Sequence, residues 1–485
     1  GLCYCRHSWG LVRFAGCRIA WPRHNPFAIG GKGIGYTDFI AQRPVKTCRQ
    51  DDIRCLCRLS RTGYGAAKLC GSLQSERVPM SDGSNTGPRG PMNGYRVVDL
   101  TSVVSGPATT AMMADQGADV IKVEAPSGDV LRRGHKYAGN HAPSFISCNR
   151  GKRSITLDLK QEAARDVLWK LLATADVLVQ NNRPGAMERL GLGADEVRAR
   201  YPRLIYASIS GVGETGPYSG KRVYDPIIQA LSGLADIQSD PISGRPKMIR
   251  TLIADKITAV YTAQAITAAL LHRERTGEGQ HVRVSMLDAV VSFIWPEGMG
   301  PFTAVGHEQA DARNSPHDMI FQTADGFLTV GTVSDAEWKA LCQALEHPEW
   351  IEDPRFATNA LRSQNRQERL RLIEDTLKGG TTEKWLSAFD QHDVPCAPVH
   401  RRMAVLSDAQ VRNNKLIVEM DQPNVGPVRQ ARPAARFEAS PAVIAGPAPE
   451  LGGHTTDILG ELGLAQSEIS ELRSTGALGN QSEEA

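Results

Sequence analysis

The chain has 485 residues, of which 41% are apolar and 22% charged, with a net charge of +3. That length admits two to four domains, and the composition excludes a mainly disordered chain, a collagen or a coiled coil. So weak a net charge gives no case for nucleic-acid binding.

The averages hide two unlike parts. Residues 1–79 carry 13 Lys+Arg against 4 Asp+Glu and seven of the ten cysteines. They show no sustained helix or strand period. Four readings stand for them: an over-extended reading frame with the start at Met80 or Met92, an Arg-rich transit peptide, a Cys-based metal module, or a tail of unknown use. The spacings Cys3-x-Cys5 and Cys55-x-Cys57 lack the two-residue gap of common zinc knuckles. Residues 81–91 (SDGSNTGPRGP) read as a flexible leader. After Met80 only Cys148, Cys342 and Cys396 occur. That usage suits a reducing cytoplasm, or mitochondria if 1–79 is a transit peptide.

From Tyr95 the punctuation becomes regular. RVVDL (96–100) reads as a buried strand, 108–116 as a small-residue helix and 118–124 as a second strand. SITLDL (154–159) alternates like a strand, and 161–173 has helical apolar spacing. Strands follow at 175–179 and 204–210. Strands alternating with helices predict βαβ units, a mostly parallel sheet, and ligands at the carboxyl ends of its strands. After about residue 300 the pattern changes. A strand at 326–333, helices at 335–345 and 383–389, and an extended piece at 394–399 predict a smaller α+β domain. Six prolines within 421–450 read as an extended connector. A short helix at 455–464 precedes about 15 residues expected to fray. The longest weakly polar stretch, 257–271, is too short to span a membrane.

Asp255 is the most suggestive residue. It lies between a strand-like run, 250–254, and a long apolar helix, where the helix dipole and free N–H groups stabilise a carboxylate. It reads either as a helix N-cap or as a carboxylate nucleophile. NRGKRS (149–154) is a basic turn able to hold phosphates or simply solvated. NNRPG (181–185) is a ligand loop or a tight turn. Tyr224-Asp225-Pro226 reads as a cap, and His272 as a surface residue. GVGETG (211–216) matches GxGxxG, but more loop follows it where a dinucleotide site needs a helix. After Met80 there is no GxxxxGK[ST], HExxH or GxSxG.

Several separated segments converge on one resemblance: RVVDLTSVVSGPATTAMMADQGADVIKVE, NRGKRSITLDL, ADVLVQNNRPGAMERLGL, YPRLIYASISGVGETGPY, VYDPIIQALSG, ADKITAVYTAQAITAALLHRERTGEGQHVRVSMLDA and APELGGHTTDILGELGL. In this order the chain resembles the family III CoA-transferases, the group of formyl-CoA transferase, carnitine CoA-transferase and the α-methylacyl-CoA racemases. The resemblance runs from about Arg96 to Leu464 and leaves out 1–79.

It implies an α/β fold: a Rossmann-like large domain at 94–300, a small α+β domain at 301–420, and a connector with a C-terminal helix at 421–485. Residues 1–93 stand apart as an extension and leader. It also implies an interlocked-ring homodimer that takes an acyl-CoA and a carboxylic acid acceptor, with neither nucleic acid nor membrane as partner. CoA serves as substrate and carrier, with no permanently bound cofactor and no metal. Asp255 matches the family's catalytic aspartate, which forms an anhydride and then an aspartyl-CoA thioester. Tyr224 and Asp225 match residues near the reaction centre. Asn149, Arg150, Lys152, Arg153, Asn181, Pro184, Gly185 and Arg189 match CoA-contacting motifs.

Three departures narrow the reading. Tyr224 stands where racemases of the family carry a histidine base, which favours transfer over epimerisation. Val104 stands where formyl-CoA transferase has a glutamine that holds intermediates. The stretch Arg313-Asn314-Ser315-Pro316 has no glycine run where that enzyme has a lid. An α-methylacyl-CoA racemase or epimerase and a non-catalytic CoA-binding paralogue are the alternatives.

Overall fold

The computed structural model describes residues 90–133, 142–240, 243–308 and 319–479, together with the strands Tyr4–His7 and Gly10–Arg13. The chain divides into two compact units, 1–84 and 85–485. In the first, Tyr4–His7 pairs antiparallel with Gly10–Arg13, a hairpin where the sequence shows no strand period. The other expectations for residues 1–79 and most of the 81–91 leader lie outside the described residues, as does the lid stretch Arg313–Pro316.

In the second unit β1 (Arg96–Leu100), β2 (Asp119–Glu124), β3 (Arg153–Thr156), β4 (Val177–Gln180), β5 (Ile205–Ser210) and β6 (His281–Ser285) form one sheet in the order 3-2-1-4-5-6. Every pairing is parallel. This is the strand order of a doubly wound, Rossmann-type sheet, as expected.

Successive residues on a strand point to opposite faces, and both faces here are apolar. Val98, Leu178 and Tyr206 face α3 (Glu162–Leu172), α5 (Ala194–Arg200), α12 (Thr455–Glu461) and α13 (Gln466–Ser474). Val97, Val177, Val179 and Ala207 face α1 (Ser105–Asp115) and α7 (Ile253–Thr276). Burial on both sides is why the strands read as continuous apolar runs. The 24-residue helix α7 is about 36 Å long. It stops at Gly277, whose φ of 82° is a left-handed cap that suits glycine.

The sheet of the smaller region is antiparallel: β7 (Ile320–Gln322), β8 (Phe327–Val330) and β9 (Cys396–Pro398), with β8 in the middle. It packs on α9 (Asp335–Ala344), α10 (Arg366–Leu377) and α11 (Thr382–Gln391) around Trp338, Phe356, Trp385 and Phe389.

Two readings of the C-terminal region need correction. The expected connector begins inside a hairpin of β10 (Ile417–Gln422) and β11 (Gly426–Ala431). Pro423 lies in its turn and Pro427 in the pair beside it, where a missing N–H costs little. Residues 432–450 form no helix or strand. Residues 466–479, where fraying was expected to begin, are also packed, while 480–485 lie outside the described residues. The Asp158 N–H donates to Ala477 O at 2.8 Å, and Ala477 and Leu478 are buried. Among the described residues no helix is long and apolar enough to cross a membrane.

Candidate active site

The strand order reverses between β1 and β4, and ligands of such sheets bind at the carboxyl ends of the strands at that point. A cleft of about 500 Å³ opens there. The turn after β1, the 181–184 loop after β4, the 209–213 segment after β5 and residues 219–224 line it, and the Asp255 side chain faces it.

Side chains from several elements hold the β1–α1 turn. Asp99 accepts from Thr101 N at 2.8 Å and from Thr101 Oγ1 at 2.5 Å. Lys122 Nζ donates to Thr101 O at 2.9 Å. Asn181 grips Ser102 twice, accepting from its N–H at 2.9 Å and donating to its carbonyl at 2.7 Å. These contacts enforce a φ of 70° at Val103, a conformation that a β-branched residue adopts only under constraint. Gly106 then enters α1 so close to Thr101 that an added Cβ would lie 2.3 Å from the Thr101 Cβ.

Asp255 is the third residue of α7, inside its first turn. The N-cap is Leu252, with no side-chain cap, so the N-cap reading of Asp255 falls. No strand precedes the helix either: residues 250–252 are bend and coil. Two side chains, Asp225 and Gln229, set the helix start through three hydrogen bonds. The Asp255 N–H donates to Asp225 Oδ2 at 3.1 Å, and Gln229 Nε2 donates to Asp225 Oδ1 at 2.6 Å. The Ile249 N–H donates to Gln229 Oε1 at 2.9 Å.

The Asp255 residue is 7% exposed. Burial, followed by the Asp225 charge, pushes its carboxyl up to about 6. Hydrogen bonds from the Ser105 hydroxyl and N–H oppose that rise. At pH 7 Asp255 is mostly ionised, desolvated and open to a cleft, which is the condition of a carboxylate nucleophile.

Of the residues matched through the resemblance, Asp255, Tyr224, Asn181 and Pro184 line this cleft, and so does the start of the GVGETG loop, Gly211–Gly213. Tyr224 is 67% exposed, whereas Asp225 is 1% exposed and lies beneath the surface as a clamp. Val104 is buried, and the cleft is lined by its neighbours Val103 and Ser105 instead. Gly185 caps the short helix α4 (Ala186–Arg189), whose Arg189 is exposed. Neither lines the cleft.

The basic turn lies elsewhere, engaged within the chain. Lys152 Nζ donates to Asp99 Oδ2, Pro107 O and Asn149 Oδ1 at 2.8–2.9 Å, fully buried. Burial disfavours the Asp99 charge, yet Lys152, Lys122 and Thr101 hold its carboxyl well below the usual range. Asn149 Nδ2 donates to Phe145 O. Arg150 forks onto Asp115. Arg153 binds Asp119 and Glu461, tying α12 to the sheet edge.

The sequence reading passed over Ser102, Ser105, Lys221 and Arg222, all in the cleft lining. The signal for the last two was a basic pair just before Tyr224, within what read as loop. Arg183 joins them, so three exposed cations rim the opening. Among the described residues no group of three or more His, Cys, Asp or Glu is arranged to hold a metal ion.

Comparison with known proteins gives one consistent answer. A sequence model described as CoA-transferase family III matches residues 92–455. The chain is 33% identical over 434 residues to human succinyl-CoA:glutarate CoA-transferase, covering 88% of this chain and 96% of that protein. It is 35% identical over 393 residues to the succinyl-CoA:mesaconate CoA-transferase of Haloarcula hispanica, covering 77% and 97%. The crystal structure of Rv3272 from Mycobacterium tuberculosis superposes with a TM-score of 0.69 at 33% identity, covering 77% of this chain and all of that one.

Proposed function

The chain belongs to CoA-transferase family III, and from that premise we propose that it moves CoA between carboxylic acids with Asp255 as the covalent nucleophile. One observation carries the reading: a buried carboxylate that titrates near 6 faces the cleft at the strand-order reversal. An Asp255 carboxylate oxygen attacks the acyl-CoA carbonyl carbon, the C–S bond breaks, and CoA leaves as thiolate with an anhydride behind it. The thiolate then attacks the Asp255 carbonyl carbon, the donor acid departs as carboxylate, and an aspartyl-CoA thioester forms. An acceptor carboxylate collects CoA by the same two steps in reverse. Covalent catalysis divides one hard exchange into easier ones.

CoA is here both substrate and carrier. Arg183, Lys221 and Arg222 at the rim suit its phosphates. The Asn149–Arg153 turn serves as framework, because its cations are paired inside the chain. The acids in the relatives' names, succinate, glutarate and mesaconate, are dicarboxylates, and a dicarboxylate is the acceptor class we assign. A second copy of the chain completes the protein as a homodimer. Ile227 and Leu231 on α6 (Asp225–Leu231), Val260 on α7, and Phe293 and Trp295 on α8 (Met286–Gly298) are all exposed, an apolar surface that association would cover.

Intact-mass spectrometry of the protein with a panel of acyl-CoAs tests site and mechanism together. A CoA-sized adduct mapping to Asp255, absent from Asp255→Ala, is expected. Exchange at the parental rate by Asp255→Ala refutes the assignment.

A further inference from the structure

Resting on the reading of the cleft as the CoA site, we infer that Gln180 is a positioning residue for CoA: a one-way line of hydrogen bonds through Ser208 to His281 fixes its side-chain amide, and that amide sets the loop 181–184. Gln180 ends β4, and Asn181, Asn182, Arg183 and Pro184 line the cleft just beyond it. Gln180 pairs with Ser208 of β5, and His281 of β6 pairs with Tyr206, two residues before Ser208. Alternation along the strands therefore puts the three side chains on one face of the sheet. Gln180 and Ser208 are buried.

The directions follow from one fixed donor. The Asn182 N–H donates to Gln180 Oε1 at 2.7 Å. A backbone N–H can only donate, so this contact decides which end of the amide faces the loop. The other end, Nε2, donates to Ser208 Oγ at 3.0 Å. Ser208 Oγ lies 2.7 Å from His281 Nε2. Its hydroxyl proton has no other acceptor among the described residues, so it goes to that ring nitrogen. The ring proton of His281 is then on Nδ1, which is buried without a partner, and no contact there opposes this tautomer. Burial, followed by the Arg283 charge, disfavours a charged ring. Arg198 on α5 adds to this, while Glu214 after β5 and Asp195 on α5 work against it. The ring is neutral at pH 7 and free to accept at Nε2.

The loop has little else to hold it. Residues 181–183 are coil, and regular structure resumes only at Ala186. Asn181 is tied to the β1–α1 turn through the N–H and carbonyl of Ser102. The Gln180 amide therefore acts on both walls of the cleft, on the Arg183 rim directly and on the β1–α1 turn through Asn181. Gln180 itself does not line the cleft, so its effect on a ligand passes through the loop.

Gln180→Met keeps the length of the side chain and removes both of its bonds. The full-length parent and variants are titrated with CoA by calorimetry and assayed for transfer from succinyl-CoA to glutarate. Gln180→Met should weaken CoA binding about 3- to 10-fold, the worth of one lost hydrogen bond. KM for succinyl-CoA should rise in step, with kcat nearly unchanged. Gln180→Glu should restore both. One carboxylate oxygen accepts from the Asn182 N–H and the other from the Ser208 hydroxyl, and Ser208 then accepts from a proton on His281 Nε2. Nitrogen-15 NMR of histidine-labelled protein, with His281→Gln to assign the signal, should show Nε2 bare in the parent and protonated in Gln180→Glu. Parental CoA affinity in Gln180→Met overturns the inference. So does a fall in kcat with affinity unchanged, the pattern of a merely loosened fold, and so does a protonated Nε2 in the parent. A parent that binds CoA but gives neither transfer nor an adduct on Asp255 overturns the nucleophile assignment instead, and the affinity and NMR results still decide the role of Gln180.

Discussion

Replacing Asp255 by Asn should make the protein inactive and more stable, with a pH dependence that identifies the cause. In the native protein the carboxyl is raised from the ordinary 3.8 to about 6. Burial is the larger cause and the Asp225 charge the second. A group raised on folding binds its proton more tightly in the native state. Well below pH 3.8 it is neutral in both states and costs nothing. Between 3.8 and about 6 the unfolded chain has lost its proton while the native state still holds it, so the cost grows at about 1.4 kcal/mol per pH unit and levels off at about 3 kcal/mol above 6. The residue is 7% exposed, so solvent screens little of this. Asn cannot ionise. Asp255→Asn should therefore match the parent near pH 3, pull ahead between about pH 4 and 6, and exceed it by up to about 3 kcal/mol at pH 8, a rise of several degrees in melting temperature. Thermal melts of both proteins across that range decide the matter. An equal difference at all pH values, or a variant less stable at pH 8, would refute the argument.

Other expectations follow from the same geometry. Asp225→Asn keeps an acceptor for the Asp255 N–H but removes the neighbouring charge, so the acid limb of the kcat/KM profile should move below 6; an unmoved limb would show that the two carboxylates do not interact. Lys152→Met strands the buried Asp99 charge and should cost about 3–5 kcal/mol. A variant with the parental melting temperature and a raised KM for acyl-CoA would make Lys152 a phosphate ligand instead. Arg222→Ala should raise KM for acyl-CoA several-fold with little change in kcat, read by steady-state kinetics in low salt. An unchanged KM would remove this cation from the CoA contacts.

The parallel sheet was legible because strands buried on both faces leave runs such as RVVDL and LIYASIS, set off by turns. The start of α7 was not legible. Its boundary depends on Asp225, 30 residues before Asp255, and on Gln229, and nothing in the local run 250–254 records their hydrogen bonds. The same limit hid the partners of the NRGKRS turn. Its basic spacing is visible, but Asp99, Asp115 and Asp119 are brought to it only by the folded sheet. Asp255 itself was legible through its place at the start of a long apolar run, although it lies inside the helix and not ahead of it. The shape of the turn that faces it was not, since nothing in SVVSGP announces a left-handed valine. Hairpin β10–β11 was obscured by its prolines, one in the turn and one paired with Asp421 in a two-stranded sheet where both strands are edges.

The bonds from Arg153 to Glu461 and from Asp158 to Ala477 join positions about 300 residues apart. Ile458, Leu459 and Leu478 close the same apolar layer as Leu168 and Val197. The ribosome adds about 5–20 residues per second, so the early strands wait tens of seconds for their last covering layer. During that interval the nascent chain presents an oily flank that a holdase chaperone would recognise, and covering that flank waits for residues 455–479 to emerge. Chains truncated before residue 455 and chains that run through 479 should differ sharply in protease resistance.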